Sequence, residues 1–574
     1  AETFAIDDGV ARWKNRTEHG SAPSRPPRFY SSATSPLDET RALVLAARAA
    51  KDACIDLLPT GRACVRKALE DRVTAGGREQ TIHAWAISGV GFRPVIVWLD
   101  EQSELFATVS SWASAIREGW ESAEEGLLEK QEAWIAGELR RRTQASARKP
   151  SGPFVIRNAK LFDSVSGAVR AGMSVVVSGK RILRVAPDEE LHAAGAEVID
   201  ARGAMLLPGL WDMHVHDLPA NGLLALASGV TTVRSLGGRS ESLVPMRSKF
   251  ESGAVAGPRL MFHGLIDGRN GSTGVSGELV DDAPGVVRAV ATYLEAGADG
   301  IKIYSAVPPT LVPQIVDEAH ARGLAAGGHV PTGMSVQDAV LGGLDEISHL
   351  WSIIGGFEAP MPDAETPAGK REMARRLIAF DVMSPAVQAF LRQLRVRHVT
   401  VDPTIGSFED SLGGGGIVNG EDPVHGVPVA AHLPPAVRRS AAALHQVRTI
   451  DGATQAVAIQ KLRSLLMELR RHGVSLVLGG DGLPGLALQR EMAEWAASGV
   501  PNAEILQAAT LGNARAAGRE KFLGSIQPGK LADMVLVDGN PVANIRDIVK
   551  VRLTIKDGTI YEPRSLLENL GVEH

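Results

Sequence analysis

The sequence predicts an α/β chain: a (β/α)8 TIM-like barrel, a small composite β-sandwich domain and an additional N-terminal α+β domain. Three observations predict it. Between Met205 and Gly518, short apolar runs that end in polar residues alternate with helical stretches eight times. On both sides of that region the texture is β-rich. Before about Pro150 the pattern matches neither. The expected division is 1–150 for the N-terminal domain, 151–205 together with 519–574 for the sandwich, and 206–518 for the barrel with a long insertion at 351–470.

The N-terminal elements come first. Leu37 to Leu58 has helical periodicity, stopped by Pro59-Thr60-Gly61, and Arg62 to Val73 reads as a second helix. Thr81 to Ser88 and Pro94 to Leu99 read as strands around a glycine-rich turn. From Leu105 a helical pattern runs through Trp112, Ile116, Trp120, Leu127 and Trp134, whose aromatics suit a core or domain interface. Arg140-Arg141-Arg142 to Pro153 is polar and ends in Pro and Gly, as a linker would. No catalytic constellation occurs in this stretch.

The sandwich is expected from Phe154 to Ile156, Ser174 to Ser178 and Arg181 to Val185, paired with Ala532 to Val537 and Val551 to Tyr561. The expected barrel strands are Trp211 to His216, Thr231 to Leu236, Arg259 to His263, Gly300 to Tyr304, Leu324 to His329, Glu346 to His349, His398 to Asp402 and Val474 to Asp481. Gly413-Gly414-Gly415-Gly416, in the insertion, fits a mobile lid and equally a plain surface segment.

Composition sets outer limits. The chain has 574 residues, 44% hydrophobic and 22% charged, which is ordinary for a folded protein. With 61 basic and 66 acidic residues the net charge is −5, so nucleic acid is not an expected partner. No apolar run is long enough for a membrane span. The opening Ala-Glu-Thr suits a mature product after signal cleavage, and a periplasmic or secreted location is the expectation, with the cytoplasm left open. Cys54 and Cys64 are too far apart for a CxxC motif; a disulfide and two buried thiols both fit.

The chemistry sits at strand ends. His214 and His216 alternate on one strand and share a face, placed to chelate one cation. Lys302, His329, His349 and Asp481 close later strands, and strand C-termini converge on one barrel face. Imidazoles with a carboxylate suit zinc or a similar ion. Core packing explains any one histidine but not the ordered set. Tyr304 shares the face of Lys302 and is a candidate substrate donor or a packing residue; His263 is a candidate pocket residue or a neutral core histidine. Arg234 reads as a structural charge inside the barrel, and His425 and His432 as surface residues. No GxSxG elbow points to a serine hydrolase.

Leu207-Pro208-Gly209-Leu210-Trp211-Asp212-Met213-His214-Val215-His216 resembles the opening metal motif of the amidohydrolase superfamily. Gly229 to Arg234 resembles its second strand, Gly328-His329 and Ser348-His349 its fifth- and sixth-strand ligands, and Gly480-Asp481 its eighth-strand aspartate. The tail Gly524 to Asp533 is similar too. The resemblance spans Phe154 to Pro563, and Asp299-Gly300-Ile301-Lys302-Ile303 is most similar to the prolidase-like and imidazolonepropionase-like branch. Ser235 departs from it, since many relatives carry Asp there.

This resemblance implies two divalent metal ions, zinc being expected. His214, His216 and Asp481 would hold one, His329 and His349 the other, and Lys302 would bridge them as a carbamate derived from carbon dioxide. A bridging hydroxide would attack an amide bond of a dipeptide, an N-acyl amino acid or a related small amide, with Asp481 moving the proton. Lactones, phosphotriesters and cyclic amides are alternatives, as is deamination, against which the bridging lysine counts. A non-catalytic relative would have lost ligands, and all six positions are filled. The resemblance also implies a homo-oligomer.

Overall fold

Strand Arg62–Ala75 is the spine of the first of two units. The computed structural model describes residues 2–15, 19–32, 37–110, 114–191, 195–216, 221–269, 277–357, 359–363, 366–408, 433–438 and 452–572. Within the described residues, the first unit comprises 2–145 with 433–438 and 567–572, and the second comprises the remainder.

The first unit holds a seven-stranded sheet in the order Ala115–Ile116, Leu105–Thr108, Val95–Asp100, Arg78–Ser88, Arg62–Ala75, Cys54–Leu58, Arg28–Tyr30. A separate three-stranded sheet is formed by Thr3–Asp7, Val10–Lys14 and His19–Pro23. Helix Leu37–Ala49 lays Leu43, Val44 and Ala47 against Ile55, Val65, Val97 and Leu99. Four expectations are corrected here. The helix expected over Leu37 to Leu58 ends at Ala49, and Cys54–Leu58 is a strand. The helix expected from Arg62 to Val73 is a strand; Ala63 and Val65 are buried between outward polar residues, the period of a strand, and pairing with Arg78–Ser88 fixes it. The helical pattern from Leu105 begins as strands and becomes helix only at Glu124. Arg140 to Arg142 lie within helix Glu124–Ser146 rather than in a linker, and Arg142 donates to the Asn569 carbonyl.

Trp120 is buried edge-on to Phe106, and the Arg66 guanidinium covers Trp134. Trp112 lies outside the described residues. Cys54 and Cys64 are bonded across neighbouring strands, with Cα atoms 4.0 Å apart.

In the second unit both β-rich flanks enter one sheet. Its junction is Met205–Pro208 running antiparallel to Met534–Val537. Phe154, Ile156, Val175, Leu206, Met534 and Ile555 are among the side chains of its core. The barrel strands, in sequence and spatial order, are Leu210–Val215, Val230–Ser235, Arg259–Gly268, Gly300–Ile303, Ala325–Gly328, Glu346–Ser348, Thr400–Asp402 and Ser475–Leu476, all parallel. Two contacts close the ring: Met213 N donates to Leu478 O at 3.2 Å, and Val215 bridges Gly482. The third strand runs past its expected end at His263 to Gly268. Only Ser475–Leu476 of the expected eighth strand is regular.

Several barrel helices are started by side chains that accept from the third backbone N–H: Asp282, Ser335, Thr366 and Ser384. Proline in the first turn of three of these helices costs nothing there, where the N–H has no helical acceptor. Helices Leu350–Gly355, Pro367–Ala379 and Pro385–Val396 precede the seventh strand, and Gly452–His472 precedes the eighth. Gly413 to Gly416, His425 and His432 lie outside the described residues. Among the described residues no helix is long and apolar enough to cross a membrane.

Candidate metal centre

Side chains that face the inside of a parallel barrel share a register across strands. Lys302 is aligned with Leu265 on one side and Gly327 on the other. It is buried, and its Nζ donates to Ser348 Oγ at 2.6 Å. Burial lowers its ammonium pKa to about 8. Glycine at 328 makes room for it. A Cβ there would stand 2.3 Å from Ile303 O and 2.8 Å from Lys302 Cδ, and φ is +139°.

Around Lys302 the strand ends bring five donors together. His214 Nε2 lies 3.4 Å and His216 Nε2 3.3 Å from Asp481 Oδ1. One ligand atom from each of these three residues falls within 4.8 Å of the others. A tetrahedral ion with bonds of about 2.0–2.1 Å has ligand–ligand edges of about 3.3–3.4 Å. The two N···O separations therefore have the length of such edges, longer than a good hydrogen bond. On the other side, His329 Nε2 and His349 Nε2 are 2.9 Å apart, and His349 Nδ1 is 3.8 Å from Asp481 Oδ2.

The far nitrogens are tied down. His214 Nδ1 is 2.6 Å from Asp402 Oδ2, His329 Nδ1 is 2.6 Å from Ser305 Oγ, and His349 Nδ1 is 2.6 Å from Thr404 Oγ1. If each Nδ1 carries the proton and donates outward, the Nε2 lone pairs of His329 and His349 face each other, an arrangement that a bound cation would relieve. Burial pushes His214, His329 and His349 well below the usual imidazole range, keeping them in the neutral form that ligates. Burial opposes the charge on Asp481, and yet its carboxyl lies well below its ordinary range, with a hydrogen bond from His216 favouring the charged form. Asp402 Oδ1 is buried with no hydrogen bond among the described residues. On donor type, spacing and protonation, these residues fit divalent metal.

Aromatic rings brace the second pair. Tyr304 stacks on His329 at 4.3 Å between centroids, and Trp351 lies parallel to His349 at 5.0 Å. Below, Arg234 makes two hydrogen bonds to Glu346, at 2.7 and 2.8 Å, and a third to Met213 O. Asp212, fully buried, accepts from the backbone N–H groups of Gly480 and His214 and so fixes the start of the turn that carries Asp481.

The six predicted ligand positions are thus grouped at one end of the barrel. His263 is placed differently. It is in register with Gly300, two residues toward the strand N-termini from Lys302, and its ring fills the space over that glycine. Burial keeps it neutral. The sequence reading missed Asp402, Thr404, Ser305 and Trp351. Asp402 ends a predicted strand, which was its one signal; Ser305 and Trp351 closely follow predicted ligands, Thr404 follows Asp402, and none of the three carries a motif.

The Amidohydrolase family profile matches residues 424–561. Among curated proteins, the chain is 37% identical over 90 residues to the dihydroorotase of Streptococcus thermophilus (strain CNRZ 1066), covering 14% of this chain and 21% of that one. It is 40% identical over 76 residues to the imidazolonepropionase of Anaeromyxobacter sp. (strain K), covering 12% and 18%. It is 42% identical over 98 residues to the N-acyl-D-aspartate deacylase of Alcaligenes xylosoxydans xylosoxydans, covering 16% and 19%. The matches span about a fifth of the length of these relatives. Among solved structures, a Xaa-Pro dipeptidase with bound methionine is similar with a TM-score of 0.52 and 23% identity, covering 71% of this chain and all of that one. A bottromycin amidohydrolase is similar with a TM-score of 0.58 and 21% identity, covering 76% and 92%. Both structural likenesses are likenesses of fold.

Proposed function

We propose that this chain is a metal-dependent hydrolase of the amidohydrolase superfamily, acting on amide bonds in a dipeptide, an N-acyl amino acid or a related small amide. The observation that carries this is the convergence of His214, His216 and Asp481 at metal-ligand spacing, beside the facing Nε2 atoms of His329 and His349.

In this proposal His214, His216 and Asp481 would hold one divalent ion and His329 and His349 a second. Lys302 would contribute a bridging carboxylate once its neutral amine had taken up carbon dioxide and released a proton, and burial, by lowering its pKa from 10.5 to about 8, raises the share of that neutral form. Bound metal would supply Lewis acidity toward the scissile carbonyl and make water more acidic. Asp481 accepts the proton of the attacking water and returns it to the leaving nitrogen. Asp402, Ser305 and Thr404 fix the ring orientations, so no imidazole has to turn during the reaction. Tyr304, stacked on His329, is the proposed substrate donor. A periplasmic or secreted location goes with this proposal, and the Cys54–Cys64 bond supports it.

The test is a hydrolysis panel on zinc-replete protein, comparing N-acyl amino acids and dipeptides with lactones and phosphotriesters of similar size. Release of amine from the amides alone is the expected result. Turnover of lactones or phosphotriesters alone would move the protein to another branch of the superfamily.

A further inference from the structure

We propose that Glu491, remote from substrate, is a positioning residue for the metal cluster: its carboxyl pins the Asp402–Gly406 turn that aims His214 and His349. The inference rests on the metal-centre reading above and assigns a new role within it.

Glu491 sits on helix Leu486–Ala497 and is completely buried. Its Oε2 accepts from Gly406 N at 2.8 Å. Its Oε1 accepts from Trp495 Nε1 at 3.0 Å. Ile405–Phe408 is a single helical turn, too short to stand alone, and its first N–H groups have no acceptor inside it. Glu491 supplies that acceptor from a different element.

The chain just before this turn does the aiming. Asp402 Oδ2 meets His214 Nδ1, and Thr404 Oγ1 meets His349 Nδ1. The backbone follows the same path: His349 N donates to Asp402 O at 2.7 Å and Leu350 N to Pro403 O at 3.2 Å. One five-residue turn thus orients a ring in each half of the cluster. It is not a relaxed turn. Thr404 has φ of +41° and His349 φ of +71°, a region that non-glycine residues avoid unless their surroundings hold them. The Glu491 carboxyl, fastened two residues beyond Thr404, is such a hold.

Packing alone does not call for an acid here. Burial pushes the Glu491 carboxyl up to about 8, a cost that a leucine of similar size would avoid. Glu494, one turn along the same helix, adds to that rise.

The experiment compares wild type with Glu491→Leu, Glu491→Gln and Trp495→Phe. Zn2+ affinity is read by competition with a chromophoric chelator, and site geometry by the visible absorption of the Co2+ form. Glu491→Leu keeps the volume and removes the acceptor; a loss of about tenfold or more in Zn2+ affinity and an altered Co2+ spectrum are expected. Glu491→Gln, which keeps one acceptor oxygen for the turn, recovers most of the affinity. Trp495→Phe leaves the turn contacts in place and binds as wild type does. Wild-type affinity and an unchanged Co2+ spectrum in Glu491→Leu would overturn the role. If Glu491→Leu does not fold, Glu491→Asp decides, because the shorter acid withdraws from Gly406 N; unchanged Zn2+ affinity there overturns the role equally. Failure of wild type to bind Zn2+ at all would instead reject the metal-centre reading.

Discussion

Asp402 Oδ2 lies 2.6 Å from His214 Nδ1, between two residues 188 positions apart in the chain. The contact joins the seventh barrel strand to the first and leaves His214 Nε2 turned toward Asp481. A carboxylate behind a ligating imidazole fixes its tautomer and raises its basicity. Asp402→Ala is therefore expected to lower Zn2+ affinity by about 10–100-fold, with Asp402→Asn less affected. Chelator competition at fixed pH measures it.

In the proposed mechanism Asp481 has two tasks, metal ligand and proton acceptor, and substitution separates them. Asp481→Asn keeps an oxygen ligand and loses the proton acceptor. A fall in kcat of about 10²–10⁴-fold is expected, with His214 and His216 still retaining metal. Steady-state kinetics with metal analysis of the same sample test this. Near-normal kcat would show that the proton goes elsewhere.

Lys302→Ala removes the proposed bridge from between the two histidine pairs. Bound metal per chain is expected to fall, and short carboxylates such as acetate or propionate should restore part of it. Metal content equal to wild type would remove Lys302 from the centre and leave its amine as a hydrogen-bond donor to Ser348.

Glu491 predicts a pH dependence of stability. Its pKa rises from the model-peptide value of 4.5 to about 8 on folding, chiefly by burial. Between those values the folded chain holds a proton that the unfolded chain has lost. Its contribution to stability is then greatest below 4.5 and declines as pH rises toward 8, by up to about 1.4 kcal/mol per pH unit. Glu491→Gln does not titrate, so its Tm relative to wild type should climb from pH 5 to pH 8. A constant difference over that range would contradict a raised pKa.

Much of the barrel was legible because its strands are short, apolar and closed by polar residues, as in Gly300-Ile301-Lys302-Ile303 and Ala325 to His329. The clustering of the predicted ligand positions shares that legibility, since alternation puts His214 and His216 on one face and strand order does the rest. The N-terminal unit was less legible. Arg62–Ala75 mixes charged residues with Ala and Val in a way that also suits a helix, and only its partner Arg78–Ser88 fixes it as a strand. Asp402, Thr404 and Glu491 were hidden for another reason. Each acts across the fold on a residue far away in sequence, and no local pattern records that distance.

The most direct test is anomalous X-ray scattering at the zinc edge from crystals of zinc-loaded protein. Two peaks about 3.5–4 Å apart are expected, one bounded by His214, His216 and Asp481 and the other by His329 and His349. A single peak, or none among these side chains, would contradict a binuclear centre.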